Sequence, residues 1–197
     1  EWAVMYPHRV RSFCSFASTL EASAEQIAWS AAGRTALALD PRWRGGDYYD
    51  AEPGDGPHAG LAVARSIAQI TYRSDPVFAE RFNRDLVDSR SVFGLWDRFE
   101  IESYLDHHGL KLVRRFDANT YLILNRAMDL HDVGRGRGGV ARALQRVSAP
   151  SLVTSVSSDR LYPPRLQREM ADALTASGSL CTYEVIDSPQ GHDGFLL

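Results

Sequence analysis

The sequence has few of the features that suit a protein to nucleic acids or membranes. Lys111 is the single lysine among 22 basic residues, and the formal net charge at pH 7 is −3. A chain with this balance has no general positive field to attract polyanions, so we do not expect binding to nucleic acid. No stretch approaches the roughly 18 consecutive apolar residues of a membrane-spanning helix, so we expect no membrane span.

Cysteine is also scarce, which excludes a disulfide scaffold. The 197 residues contain two cysteines, Cys14 and Cys181, and each lies in a run typical of a β-strand. Isolated cysteines in strands favour buried free thiols, which fit a reducing compartment. We therefore predict two buried thiols and a cytoplasmic location.

The sequence lacks the regular spacing of known metal-binding motifs. The pairs His107-His108 and His131-Asp132 do not fit patterns such as H-E-x-x-H. We interpret these residues as structural or surface side chains and expect no metal site.

Two polar residues follow strand-like runs near the C-terminal end. Asp159 comes after the run 151–156, and His192 comes after the run 181–186. The stretch 164–176 between the runs is typical of a helix, so both residues can reach the same edge of a parallel sheet. An acid after one strand and a histidine after the next form the second half of the catalytic triad of α/β-hydrolases, whose chain order is Ser, then Asp or Glu, then His.

The nucleophile of such a triad does not appear in the sequence. No Gly-x-Ser-x-Gly elbow occurs in it. Residues 1–6 are typical of the end of a helix, Pro7 stops that helix, and residues 9–17 alternate roughly like a strand. This order is typical of the segment after the nucleophile. We therefore expect the elbow one or two turns before Glu1 and interpret the chain as a piece of a longer protein.

Between the strand patterns, the chain is typical of helices and loops. The predicted helices cover residues 24–39, 60–72, 76–88, 99–110 and 111–128. A helical block of this size between core strands is typical of a lid over a site at the carboxyl ends of the strands. We predict an α/β class, with a partial α/β-hydrolase fold and a large helical lid. The predicted divisions are a core remnant at 1–20, a lid at 21–144 and the C-terminal core at 145–197.

A glycine-rich run offers a different interpretation. Gly134, Gly136 and Gly139 form a literal G-x-G-x-x-G, and Asp159 follows 20 positions after Gly139, as in a dinucleotide-binding fingerprint. The fingerprint requires a strand before the glycines, and residues 124–132 do not resemble one. The pattern therefore favours a tight turn with exposed arginines, and a dinucleotide-binding module is the less favoured alternative.

Arg65 and Tyr72 lie seven positions apart in one predicted helix, which places them on one face two turns apart. A buried arginine on that face can bind a substrate carboxylate through two hydrogen bonds, whereas a solvent-exposed one has no such role. The spacing leaves both alternatives open.

Several motifs taken together resemble the homoserine O-acetyltransferase family. They are 1–7 (EWAVMYP), 61–65 (LAVAR), 71–73 (TYR), 115–121 (RFDANTY), 130–139 (LHDVGRGRGG), 158–163 (SDRLYP) and 191–196 (GHDGFL). The motifs occur in the family's order and span the whole chain, roughly the C-terminal half to two-thirds of such an enzyme. The resemblance implies an α/β-hydrolase-fold acyltransferase with a helical lid, often dimeric through that lid.

The resemblance also implies a reaction. Acetyl-CoA would be a co-substrate rather than a permanently bound cofactor, and L-homoserine would be the acceptor, in a step of methionine biosynthesis. Asp159 and His192 would be the acid and the base of the triad. Succinyl transfer, serine as the acceptor and simple ester hydrolysis stay open as alternatives, because the family's nucleophile and oxyanion-hole segment do not occur in the sequence.

Three further residues acquire roles only through the resemblance. Asp193 would face the amino group of the substrate, and Arg65 would hold its carboxylate with Tyr72 nearby. Arg73 is the alternative for the carboxylate, because it lies close to Arg65 in the sequence.

Overall fold

The computed structural model describes residues 1–88 and 93–196, which separate into two compact units. Unit 1 comprises Glu1–Ser23, Tyr72–Ser74 and Leu130–Leu197, and unit 2 comprises Ala24–Thr71 and Asp75–Asp129. In chain order, the elements are α1 (Trp2–Met5), β1 (Phe13–Phe16), α2 (Ala24–Ala38), α3 (His58–Tyr72), α4 (Asp75–Arg81), α5 (Glu100–Val113), α6 (Ala118–Asp129), α7 (Val140–Leu144), β2 (Ser151–Val156), α8 (Pro164–Ala176) and β3 (Cys181–Ile186).

Unit 1 is built on a three-stranded parallel sheet with the order β1-β2-β3. Ser151 at the start of β2 lies opposite Phe13 of β1 and Cys181 of β3. Because the strands are parallel and in register, their carboxyl ends meet at one edge of the sheet. The predicted α/β class is confirmed, and the residues that follow β2 and β3 emerge at that edge.

The core of unit 1 lies between the sheet and α8. Leu166, Met170 and Leu174 repeat every four residues along this helix, so they form one apolar face. All three are buried, as is Val153 of β2, and Met170, Leu174 and Val153 belong to one packed cluster. Burying a side chain of this size contributes roughly 1.5–3 kcal/mol. This packing fixes the loop after β2 relative to the loop after β3.

Unit 2 consists of helices packed around a small apolar cluster. Leu37, Leu61, Leu112 and Ala118 form its buried centre. Gly109 of α5 permits a close approach between helices, since a Cβ there would lie 3.0 Å from a backbone oxygen of α3. The prediction that this part of the chain is mostly helical is confirmed.

Helix boundaries in unit 2 differ from those predicted, and two of them differ by seven residues. Helix α4 ends at Arg81 rather than at residue 88, and Asn83 adopts a left-handed φ of 43°. The predicted helix 111–128 begins instead at Ala118, where the Asp117 carboxylate accepts a hydrogen bond from Thr120 N at 2.7 Å. A side chain that binds a backbone N–H three residues later marks a helix start.

The boundary between the units also differs from the predicted edge of the lid. Residues 130–144, predicted to be in the lid, belong to unit 1. The reason is backbone pairing with the segment after β1: Val133 N donates to Leu20 O, and Ala22 N donates to His131 O, both at 3.0 Å. The assignment of the helical block as a lid stays a prediction.

Both cysteines are free, and they lie in β1 and β3 as the sequence indicates. The prediction that both are buried is wrong, because Cys14 is exposed and Cys181 is only half-buried. Burial alternates along β1, so Phe13 and Ser15 are half-buried while Cys14 and Phe16 face outward. Within the described ranges, no helix has both the length and the apolar character needed to cross a membrane.

Candidate active site

Asp159 lies in the turn that follows β2 and is buried, with its side chain 0% exposed. Its Oδ1 accepts hydrogen bonds from the backbone N–H groups of Leu161 and Tyr162, each at 2.9 Å. A buried carboxylate needs such donors, because water cannot solvate it. The two backbone donors fix the orientation of the carboxylate, so Oδ2 faces the loop after β3.

His192 lies in a 3₁₀ helix, Gly191–Phe195, that follows β3. Gly191 has a φ of +75°, and a Cβ at this position would lie 2.7 Å from Ser74 N. Only glycine combines this backbone conformation with so close an approach. The chain therefore turns sharply just before the histidine.

The His192 Nδ1–H group donates a hydrogen bond to Asp159 Oδ2 at 2.9 Å. The predicted acid and base are thus in direct contact, although 33 residues separate them in the chain. With Nδ1 donating, the lone pair of the neutral imidazole is on Nε2. The ring can therefore accept a proton at Nε2, while the carboxylate stabilises the imidazolium that results.

Three aromatic rings surround the imidazole. The ring centroids of Tyr162, Tyr72 and Phe195 lie 5.3, 5.6 and 5.6 Å from that of His192. Burial raises the pKa of Tyr162 above its ordinary value, and the nearby Tyr72 and Asp159 raise it further, so the phenol stays neutral. These rings limit access of water to the acid–base pair, and the side chain of His192 is 18% exposed.

The loop that carries His192 is held on one side by residues that follow α3. The guanidinium of Arg73 lies 3.2 Å from Asp193 Oδ2 and donates to Gln190 Oε1 at 3.1 Å. The hydroxyl of Ser74 donates to the Pro189 carbonyl. Arg73 Nε is buried and has no hydrogen-bond partner among the described residues. Arg73 therefore contacts the residues on both sides of the histidine.

On its other side, the loop is held by a serine in the turn after β2. Ser158 Oγ donates to Ser188 O at 2.5 Å and accepts from Gly191 N at 2.9 Å. Sequence reasoning did not identify this serine. The sequence did offer a signal for this role: Ser158 lies directly before Asp159, in the turn after β2, and that turn must face the loop after β3.

The structure brings four of the five predicted site residues into unit 1. Asp159, His192, Asp193 and Tyr72 all lie there. Tyr72 packs against the ring of His192, and Asp193 follows His192 in the same 3₁₀ helix. Arg65 lies in α3 within unit 2, seven residues before Tyr72. The substrate roles of Arg65, Tyr72 and Asp193 stay proposals.

The glycine-rich run lies in a turn. It follows helix α6 and a single bridging residue, Asp132, rather than a β-strand. Gly134 N donates to Asp132 Oδ1 at 2.7 Å, which closes the start of the turn. The strand that a dinucleotide fingerprint requires is therefore replaced by a helix. In the part of the chain that the structure describes, no group of three or more histidine, cysteine or acidic side chains could hold a metal ion.

Known proteins resemble this chain in sequence and in structure. A protein named homoserine O-acetyltransferase from Thermobifida fusca (strain YX) is 53% identical over 196 residues, which cover 100% of this chain and 50% of that protein. The crystal structure of homoserine O-acetyltransferase from Bacillus anthracis superimposes with a TM-score of 0.88 at 24% identity, covering 98% of this chain and 51% of that one. The crystal structure of esterase E22 gives a TM-score of 0.87 at 23% identity, covering 98% and 52%. The chain thus spans about half the length of the curated relatives it matches.

The family model described as "alpha/beta hydrolase fold" matches residues 1–197. The parallel strands, the acid after β2 and the histidine after β3 agree with this match. The chain therefore belongs to the alpha/beta hydrolase fold family.

Proposed function

We propose that this chain is the acid–base part of a homoserine O-acetyltransferase, which moves an acetyl group from acetyl-CoA to the hydroxyl of L-homoserine. The observation that carries the proposal is the hydrogen bond between His192 Nδ1 and Asp159 Oδ2. The similarity to the Thermobifida fusca protein of that name supports the choice of donor and acceptor. No Gly-x-Ser-x-Gly elbow occurs in the sequence, so the proposal assigns the nucleophile to a serine outside these residues.

In the first half-reaction, His192 Nε2 accepts the proton of the serine hydroxyl as the serine oxygen attacks the acetyl carbonyl. A C–O bond forms, the thioester C–S bond breaks, and the imidazolium returns the proton to the leaving CoA thiolate. Asp159 keeps the imidazole in the required tautomer and stabilises its charged form. The product is an acetyl-serine intermediate and free CoA.

In the second half-reaction, His192 Nε2 accepts the proton of the homoserine hydroxyl. The homoserine oxygen attacks the acetyl group, the bond to the enzyme serine breaks, and that serine regains the proton. In this proposal, Asp193 faces the substrate ammonium, while Arg65 holds its carboxylate with Tyr72 nearby. Asp193 Oδ2 already pairs with Arg73. The ammonium would therefore use Oδ1, to which no described residue donates.

Steady-state kinetics of the full-length protein test the proposed reaction. A ping-pong scheme gives parallel double-reciprocal lines when acetyl-CoA and homoserine are varied, because CoA leaves before homoserine reacts. Intersecting lines would indicate a ternary complex and would contradict the proposal.

Intact-mass spectrometry tests the assignment of the nucleophile. Residues 1–197 incubated alone with acetyl-CoA should gain no acetyl group and should not acetylate homoserine. An acetyl group mapped to a serine inside these residues would show that the nucleophile has been placed in the wrong part of the protein.

Ester hydrolysis is the second candidate, because the same Asp159–His192 pair can activate water to release the acyl group. The aromatic rings around His192 favour transfer, since excluding water protects the acyl intermediate. Comparing the rates at which acetate and O-acetylhomoserine form from acetyl-CoA distinguishes the two. An excess of acetate in the presence of saturating homoserine would favour the esterase.

Three further parts of the proposal concern the whole protein. We propose acetyl-CoA as a co-substrate without a permanently bound cofactor, a homodimer formed through the helical block, and a cytoplasmic location. The free state of Cys14 and Cys181 supports a reducing compartment. Analytical ultracentrifugation of the full-length protein, with and without substitutions on the exposed faces of unit 2, tests the dimer.

A further inference from the structure

A surface cleft of about 530 Å³ lies beside the glycine-rich turn in unit 1. The residues that line it are Gly136, Arg137, Gly138, Arg142, Gln145 and Arg146. These residues bring three guanidinium groups to the cleft and no carboxylate. The volume lies within the range of small-ligand sites.

The two arginines from the helical side of the cleft lack a counter-charge among the residues that the structure describes. Arg142 lies in α7 and Arg146 follows it four residues later, and both are exposed. Among the described residues, no carboxylate forms an ion pair with Arg137, Arg142 or Arg146. Arg135 of the same turn differs, because its Nε lies 4.0 Å from Asp132 Oδ2. Like charges gathered without a partner repel one another, and a bound anion relieves that repulsion.

The remaining arginine of the cleft is fixed by the backbone. Arg137 Nη1 donates to the carbonyl groups of Val133 at 3.1 Å and Arg135 at 3.3 Å. These bonds hold the guanidinium through one nitrogen, and no described residue accepts a hydrogen bond from its other N–H groups. A cation held in place before binding loses less side-chain entropy when a ligand arrives.

Gly138 lies directly beneath the side chain of Arg142. It has a φ of +79°, and a Cβ at this position would lie 2.7 Å from Arg142 Cδ. The absence of a side chain therefore lets the arginine lie across the backbone. The glycine-rich run is not preceded by the strand of a dinucleotide-binding site. It instead forms one side of the arginine cleft.

We propose that the arginine cleft binds a phosphate group. Guanidinium groups match the geometry of phosphate oxygens and form pairs of parallel hydrogen bonds with them. The phosphate can come from a free phosphate ion or from a phosphate-bearing molecule such as CoA. The inference does not depend on the proposed acyl transfer, because it concerns binding alone.

Calorimetric titration of the full chain with inorganic phosphate and with pyrophosphate tests the proposal. Both should bind, and the double variant Arg142→Ala/Arg146→Ala should bind pyrophosphate at least about tenfold more weakly, since each hydrogen bond to a charged group contributes roughly one factor of ten. The matched control is Arg135→Ala, which removes an exposed arginine of the same turn that does not line the cleft. It should change the affinity by less than about twofold.

Two outcomes would overturn the proposal: no saturable binding of either anion, or an equal loss of affinity in Arg135→Ala, which would indicate only diffuse charge. Thermal unfolding of each variant without ligand shows whether it folds, and the phosphate-induced rise in Tm gives a second measure of binding. CoA and dephospho-CoA distinguish the sources. If the cleft binds the 3′-phosphate of CoA, dephospho-CoA should bind more weakly than CoA, and this difference should disappear in the double variant. If CoA binds wild-type protein and the double variant equally while inorganic phosphate does not, the ligand is a free phosphate ion.

Discussion

The guanidinium of Arg73 lies 3.2 Å from the carboxylate of Asp193, the residue directly after His192. Both side chains are mostly buried, with exposed fractions of 17% and 23%. Arg73 was the alternative to Arg65 for binding the substrate carboxylate. Its contacts with Gln190 and Asp193 indicate instead that it holds the histidine loop in place.

We therefore expect Arg73→Ala to slow both half-reactions of the proposed acetyl transfer in the full-length protein. The loop that positions His192 would lose its ion pair with Arg73. Because a displaced catalytic group lowers the rate, turnover should fall by at least about tenfold. Arg73→Lys should restore part of the rate because it keeps the charge. Arg65→Ala is the matched control, and it should raise KM for homoserine while acylation by acetyl-CoA stays near normal. If Arg73→Ala affected the homoserine step alone, Arg73 would be the carboxylate ligand.

A second prediction concerns the acid of the pair. Asp159→Asn keeps the size of the side chain but offers Nδ1 of His192 a poorer acceptor. Turnover should fall by about 10⁴-fold, since the imidazole then adopts the wrong tautomer. Ser157→Ala, in the same turn, removes the hydroxyl bonded to Asp187 and should leave most of the activity. Single-turnover acylation measures the effect, and a loss below tenfold in Asp159→Asn would argue against a catalytic role.

The sharp turn before the histidine gives a third prediction. Gly191→Ala places a Cβ 2.7 Å from Ser74 N, so the loop must move and His192 with it. Gly178→Ala is a close control, because Gly178 has a φ of +91° but no atom within 4 Å of an added Cβ. Both substitutions should destabilise the fold by about 1–2 kcal/mol through the strain of a side chain at positive φ. Only Gly191→Ala should also abolish most of the turnover, as measured by kcat at saturating substrates.

The fourth prediction uses the contact between Tyr48 and Asp117 in unit 2. Burial and the hydrogen bond to Asp117 raise the pKa of Tyr48 to about 12. Burial also raises the pKa of Asp117, but the hydrogen bonds from Tyr48, Thr120 and Tyr49 outweigh it and hold this pKa below its ordinary value. The tyrosine therefore stabilises the fold fully below its unfolded pKa of about 10, and that stability is lost as pH rises towards about 12. The Asp117 contribution is present above an unfolded pKa of about 4 and is lost at more acidic pH.

Thermal unfolding at several pH values checks this prediction. Wild-type protein should have a higher Tm than Tyr48→Phe at pH 8, because the variant lacks the hydrogen bond to Asp117. The difference should shrink above about pH 10, as the unfolded tyrosine ionises first. Tyr49→Phe is the control, since Tyr49 is exposed and its bond to Asp117 is longer, at 3.3 Å. A Tm difference that stays constant with pH would contradict the assignment.

The sequence predicted the elements around the acid and the base more accurately than those of unit 2. The strands Ser151–Val156 and Cys181–Ile186 and the helix Pro164–Ala176 have the predicted bounds, because apolar runs and a proline at the helix start are local signals. The start of α6 depends on Asp117 and on a tyrosine 69 residues earlier. Patterns among neighbouring residues carry no information about a contact over this distance in the chain.

The candidate site likewise combines contacts that local patterns predict with long-range contacts that they do not. The pairing of Asp159 with His192 follows from the order of strands, since residues after neighbouring parallel strands meet at one edge. The contact of Arg73 with the histidine loop joins residues more than a hundred positions apart, and no local pattern indicates it. The substrate roles of Arg65 and Asp193 come from the family resemblance alone.

The strand β2 pairs with β3 through one intervening helix, whereas it pairs with β1 across residues 17–150. Contacts between residues close in sequence form faster than contacts that must close a long loop. The β2–α8–β3 segment, and with it the acid–base pair, is therefore expected to fold before β1 joins the sheet. Pulsed hydrogen exchange during refolding should show protection of the amides of β3 ahead of those of β1. Changes within residues 17–150 that leave the contacts of Tyr72–Ser74 with the histidine loop intact would then alter when the sheet is completed rather than whether Asp159 meets His192.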